Sequence, residues 1–125
     1  MTLKEIEKEL ESTTIPTSLS SPKDGVVLIV PKGSMDMVGA HKMQTVFSQV
    51  IEIGYLNAII DMSGISYAAS RGIGAIINFS NELAKKKGQL IMMNIQPKVL
   101  DVFSLLGFTQ FLTIADSLDK AIKAI

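Results

Sequence analysis

The 125-residue chain contains no cysteine, and His41 is its single histidine. Without cysteine, disulfide frameworks, thiolate metal sites and cysteine nucleophiles are excluded. With one histidine, a multi-histidine metal centre and the paired-histidine motif of metalloproteases are excluded as well. The sequence therefore predicts no metal site.

The chain also lacks an excess of charge, since 12 basic and 12 acidic residues give a formal net charge of zero. Long-range attraction to nucleic acid or to an anionic membrane is therefore not expected. The basic run at residues 85–87 closes a predicted helix, where cations suit the helix dipole, and no aromatic residues are interleaved for base stacking. No apolar run approaches the length of a membrane span, and the charged N-terminus does not resemble a signal peptide. We expect a cytoplasmic protein without membrane insertion or direct nucleic-acid binding.

Strand patterns and helix patterns alternate along the chain. The apolar run Val26–Val30 is typical of a strand that is covered on both faces, and strands alternating with helices predict a mostly parallel sheet. The fold class is thus a single α/β domain with a four- to five-stranded sheet, an antiparallel N-terminal strand and about four helices besides a short N-terminal one. Strands are predicted at residues 13–19, 26–30, 57–62, 89–94 and 111–114. Helices are predicted at 3–11, from near 38 until Gly54 stops the helix, and at 71–87, 97–106 and 115–125, and a loop of small residues at 63–69.

The segment SYAASRGIGAII, which begins at Ser66, allows two interpretations: a glycine-rich loop around a ligand phosphate, or a helix start that presents Ser70. A dinucleotide fingerprint needs a third glycine where Ile77 stands, and the Gly-Lys-Ser/Thr of a P-loop is absent, so no cofactor is predicted. Ser70 is predicted at the N-cap position of the helix. Its hydroxyl either caps the helix or receives a phosphate. A phosphate is negatively charged, and helix N-termini favour negative charge by about 0.3–1 kcal/mol.

Catalytic arrangements are poor in this sequence. His41 lies on the second predicted helix, distant from Ser70, and Asp36, Asp61 and Asp101 are dispersed. Asp61 ends a parallel strand, where it either binds a ligand or caps the neighbouring loop. A small enzyme or nucleotide-binding domain remains an alternative, but a hydrolase would lack a base adjoining its serine. We therefore predict no enzymatic activity.

Four blocks of sequence resemble the STAS domain family, found in bacterial anti-sigma factor antagonists and in the cytoplasmic tails of sulfate transporters. They are VVLIVPKGSMD, with Gly33 and Asp36 as the family's Gly-x-x-Asp, then NAIIDMSGISYAASRGIGAII, KKGQLIMMNIQPKVLDVFSLLGFTQF and TIADSLDKAI. The resemblance covers roughly residues 12–125, which implies one STAS-like domain preceded by a helical extension at residues 1–11.

In that family the loop commonly reads Asp-Ser-Ser/Ala/Thr-Gly-Leu-Gly, and its first serine or threonine is phosphorylated. The resemblance places Ser70 at the phosphoacceptor position and Gly72 and Gly74 at the two glycines. Two positions depart from the pattern, because Ala69 replaces the aspartate and Arg71 replaces the small residue. A kinase that reads the aspartate would not recognise this loop, whereas the Arg71 guanidinium is able to pair with a phosphate.

The resemblance implies a regulator that binds a serine kinase of the anti-sigma type and is switched by phosphorylation of Ser70. A phosphatase and a second copy of the chain are further candidate partners. The alternative is a non-switching scaffold or a transporter-associated subunit, which the two departures and the N-terminal extension favour. The expected partner-binding residues are Asp36, Ser66, Tyr67, Ala69, Ser70, Arg71, Gly72 and Gly74.

Overall fold

The computed structural model describes residues 1–9, 15–109 and 112–125, and within them strands alternate with helices. In chain order the elements are α1 (Leu3–Lys8), β1 (Thr17–Lys23), β2 (Val26–Pro31), β3 (Gly33–Met35), α2 (Met37–Glu52), β4 (Asn57–Asp61), β5 (Ile65–Ala68), α3 (Ser70–Lys85), β6 (Gln89–Met93), α4 (Pro97–Leu105), β7 (Thr113–Ala115) and α5 (Leu118–Lys123).

The main sheet has five strands in the order β1-β2-β4-β6-β7. β1 and β2 form an antiparallel pair, and the remaining pairs are parallel, with Leu28 opposite Ile59 and Ile59 opposite Ile91. The predicted α/β fold with an antiparallel N-terminal strand is thereby confirmed. Because the parallel strands run in the same direction, their carboxyl ends meet at one edge of the sheet, where β3 and β5 form a separate parallel pair.

Side chains alternate between the two faces of the sheet, as the two-residue period of a strand requires. The larger core lies on one face, where α2 packs against α3 and the rings of Phe47 and Phe79 stack with their centroids 4.2 Å apart. The smaller core lies on the other face and joins Val26 and Ile59 to Ala121 of α5. At the start of α5, a hydrogen bond from Lys120 to Asp116 lowers the pKa of that carboxyl.

The prediction of a loop at residues 63–69 is wrong, because β5 occupies most of this segment and pairs with β3, which the sequence pattern also failed to indicate. Both strands are too short for a periodic signal, and each needs a partner about thirty residues away. The first strand lies at Thr17–Lys23, later than predicted, and the last at Thr113–Ala115. Residues 10–14 and 110–111, which carry parts of the predicted N-terminal helix and of both these strands, lie outside the described residues.

Candidate functional site

The pair of short strands β3 and β5 brings the starts of two helices together. β3 continues through Asp36 into α2, and β5 continues through Ala69 into α3. The Ala69 backbone N–H donates a hydrogen bond to the Met35 carbonyl oxygen over 2.9 Å, which joins the two strand ends just before the helices begin. The N-termini of α2 and α3 therefore lie side by side at the carboxyl edge of the sheet.

Gly72 allows this close approach of the two segments. A Cβ atom at position 72 would lie 3.1 Å from both the Cβ atom and the carbonyl oxygen of Met35, tighter than ordinary van der Waals contact. Gly72 is buried in the first turn of α3. Its small size is thus explained by packing within the chain.

Asp36 is the N-cap residue of α2, and its side chain is half-buried. The Oδ1 atom of Asp36 accepts a hydrogen bond from the Gly39 backbone N–H over 2.8 Å, which satisfies one of the free donors at the helix start. Its carboxylate therefore stabilises the start of α2 through Oδ1.

Ser70 does not occupy the predicted N-cap position. The N-cap residue is Ala69, whose φ of −73° and ψ of 161° are extended, and Ser70 is the first residue of α3. The hydrogen bond from the Ala69 N–H to the Met35 carbonyl holds residue 69 to the end of β3, and the helix starts at residue 70. The Ser70 side chain is exposed, and among the described residues its hydroxyl makes no hydrogen bond. The capping interpretation of this hydroxyl is therefore wrong, and the hydroxyl is accessible to a modifying enzyme.

Exposed apolar side chains lie on β5 and on the first turn of α2. Tyr67 on β5 is 54% exposed, and Met37 and Val38 in the first turn of α2 are 65% and 61% exposed. The predicted partner-binding residues did not include Met37 and Val38, which precede Gly39, the first buried residue of α2. Apolar residues next to the buried stripe of a helix are the signal by which the sequence could have indicated them.

The remaining predicted residues on this surface are also accessible. Ser66, Arg71 and Gly74 are exposed, and Ala69 is half-buried. In the part of the chain that the structure describes, Arg71 forms no ion pair. A Cβ atom at Gly74 would meet no atom within 4 Å. The predicted residues thus lie on β5, at the start of α3 and at the N-cap of α2, and Gly72 among them is buried.

The side chains considered for catalysis have other roles or lie apart. Asp61 Oδ1 accepts hydrogen bonds from the Ser63 N–H over 3.0 Å and from the Asn94 side-chain amide over 3.3 Å, so it caps the neighbouring loop. His41 is exposed on α2, and Asp101 is exposed on α4. Among the described residues there is no group of three or more His, Asp or Glu side chains that could hold a metal ion. Within those same ranges no helix is long and apolar enough to cross a membrane.

A five-stranded mixed sheet with an antiparallel β1-β2 pair and helices on both faces is the architecture of a STAS-type domain. The family model described as STAS domain matches residues 19–121, and the chain belongs to this family. Helix α1 lies before the matched residues.

The chain is similar to three proteins of known name or structure. BtrV of Bordetella bronchiseptica, which carries the name of an anti-sigma factor antagonist, is 22% identical over 101 residues, covering 81% of this chain and 87% of BtrV. The structure of the anti-sigma factor antagonist SpoIIAA of Bacillus in its unphosphorylated form has a TM-score of 0.75 and 24% identity, covering 86% of this chain and 94% of that one. A sulfate transporter family protein from Wolinella succinogenes has a TM-score of 0.71 and 20% identity, covering 84% of this chain and 88% of that one.

Proposed function

We propose that the protein is an anti-sigma factor antagonist-like regulator, which binds a serine kinase of the anti-sigma type and is switched by phosphorylation of Ser70. The observation that carries this proposal is the exposed Ser70 hydroxyl at the first position of α3, free of any capping role. The names of BtrV and SpoIIAA support the partner class, and SpoIIAA is known in both unphosphorylated and phosphorylated forms.

The unmodified surface suits a protein partner because β5 and the first turn of α2 expose apolar side chains at the edge of the sheet that carries Ser70. Met37, Val38 and Tyr67 expose more than half of their surface. Covering apolar surface contributes about 25 cal/mol per Å², and aromatic and Met side chains are enriched at protein interfaces. Together with Asp36, Ser66, Ala69, Ser70, Arg71, Gly72 and Gly74, they form the proposed partner-binding surface.

A phosphate on Ser70 would act on the complex rather than on the fold. In the free protein, the dianion lies at a helix N-terminus, which favours it by about 0.3–1 kcal/mol. Inside an interface, the same charge would be desolvated, and an uncompensated buried charge costs several kcal/mol. Because about 1.4 kcal/mol corresponds to a tenfold change in affinity, phosphorylation would release the partner.

The test compares Ser70→Asp with Ser70→Ala in binding to the purified anti-sigma serine kinases of the source organism, measured by isothermal titration calorimetry. Ser70→Ala is expected to retain most of the affinity, whereas Ser70→Asp is expected to reduce it at least a hundredfold. Ser104→Asp, at an exposed position of α4, controls for the added charge. Equal affinities of Ser70→Ala and Ser70→Asp would contradict the switch.

We propose a cytoplasmic setting for this regulator. The protein would act in the cytoplasm without catalysing a reaction, and a phosphatase would reset Ser70. The STAS-like domain would span residues 12–125, with residues 1–11 as an extension.

A non-switching scaffold or transporter-associated subunit is the second candidate. Ala69 and Arg71, which depart from the family's loop pattern, favour it, as does the fold shared with a sulfate transporter family protein. Phosphopeptide mass spectrometry of the protein from its own cells, in growth and under stress, separates the two candidates. A phosphate on Ser70 that changes with condition would support the switch, and its absence from a well-covered peptide would support the scaffold.

A further inference from the structure

The two glycines at the start of α3 differ in what the folded chain requires of them. Gly72 is buried against Met35, where a Cβ atom would be crowded at 3.1 Å. Gly74 is exposed and helical, and a Cβ atom there would meet nothing within 4 Å. Glycine has a lower helix propensity than alanine because it loses more backbone freedom on folding. The free protein therefore gains no packing from glycine at position 74 and loses stability by having it.

Gly74 lies on the same side of α3 as the proposed phosphorylation site. Residues three and four apart are neighbours on a helix surface, so Gly74 is adjacent to both Ser70 and Arg71. Without a side chain at position 74, the helix backbone is open to close approach from outside.

Arg71 adds a charge to this surface that the chain itself does not balance. It is exposed, and among the described residues it forms no ion pair. Asp36, the carboxylate among the proposed partner-binding residues, caps α2 and forms no ion pair with Arg71. A guanidinium presents several donors in a fork that matches a carboxylate, so the complementary group on a protein partner is an aspartate or glutamate.

We propose that Arg71 and Gly74 together determine which partner binds: a protein segment that places a carboxylate on Arg71 and packs directly against the α3 backbone at Gly74. This inference rests on the proposed function, because it describes the partner of that same surface. The partner contact gives the exposed glycine the packing that the free chain lacks, and Arg71 restricts binding to acidic segments.

The experiment uses the full chain and the purified anti-sigma serine kinases of the source organism, with affinity measured by isothermal titration calorimetry and stability by thermal unfolding. Gly74→Ala is expected to raise the unfolding midpoint by about 2–5 °C and yet to weaken binding at least tenfold. Asn81→Ala, at an exposed position of the same helix, should leave affinity unchanged.

Arg71→Glu is expected to weaken binding at least tenfold, whereas Lys123→Glu, on α5 at the opposite face of the sheet, controls for net charge. The carboxylate is located with a carbodiimide, which joins amines to carboxyl groups: Arg71→Lys should cross-link to an acidic residue of the kinase. If the wild-type chain binds a kinase and the affinity of Gly74→Ala or of Arg71→Glu differs from the wild-type affinity by less than twofold, the inference is overturned. The proposed function would then still stand. Failure of the wild-type chain to bind any of these kinases would overturn both.

Discussion

At residue 69 the chain has an alanine in the position where helices prefer Ser, Thr, Asp or Asn. Its side chain provides no acceptor for the free N–H groups of the first turn of α3. Asp36 provides that acceptor for α2, so the two neighbouring helix starts differ in how they are capped. The start of α3 is consequently the less stabilised of the two, next to the serine that we propose is modified.

Ala69→Asp would restore both the family's loop pattern and a capping acceptor. We expect it to raise the free energy of unfolding by about 0.5–2 kcal/mol, because the carboxylate accepts a backbone hydrogen bond and suits the helix dipole. Urea denaturation measures the change. Ala69→Ser separates the hydrogen bond from the charge and should keep much of the gain. A loss of stability in both variants would argue against an N-cap at residue 69.

Helix α1 illustrates how an element outside the matched family region becomes part of the core. Ile6 is fully buried and belongs to the larger core. The Glu7 carboxylate accepts a hydrogen bond from the Leu19 N–H over 3.3 Å, which satisfies a donor of the edge strand β1. Unpaired edge strands invite association with other chains, and α1 reduces that exposure.

Ile6→Ala should lower the free energy of unfolding by about 2–5 kcal/mol, since it removes buried apolar atoms and leaves a cavity. Lys4→Ala, at an exposed position of the same helix, should change it by no more than about 0.5 kcal/mol. Chemical denaturation of the two variants measures the difference. If Ile6→Ala were as mild as Lys4→Ala, α1 would not be docked in solution.

On the scale of the whole molecule, the two faces of the sheet are covered unequally. The larger core involves α1, α2, α3 and α4, whereas the smaller core relies on α5. Ala121 is fully buried in the smaller core, with Val26, Ile59 and Ile91. The proposed partner-binding surface lies at the carboxyl edge of the sheet, so α5 supports the site through the sheet rather than by contact.

Ala121→Asp should destabilise the whole domain by at least about 3 kcal/mol, because it places an unpaired charge in an apolar cluster. Ala124→Asp, at the exposed end of the same helix, provides the control for added charge near the C-terminus. Urea unfolding monitored by circular dichroism compares the two variants. Equal effects would indicate that α5 contributes little to covering the sheet.

The sequence by itself determined the alternation of strands and helices, because each signal is local. The run Val26–Val30 indicates a buried strand, the apolar period of α2 indicates its covered face, and Gly54, with a φ of +109°, follows the end of that helix as predicted. The segment before α3 indicates a helix start near Ser70, and the resemblance to the family pattern adds the role of phosphoacceptor.

Only the tertiary structure decided how the site is assembled. The pairing of β3 with β5 joins segments about thirty residues apart, and no local pattern in Gly33–Met35 or Ile65–Ala68 encodes it. That pairing sets the start of α3 at Ser70 and releases the Ser70 hydroxyl from the capping role that the sequence allowed. It also brings the first turn of α2, which carries the exposed Met37, to the same edge of the sheet as the serine. These features depend on long-range hydrogen bonds and packing, which exist only once the remote segments have met.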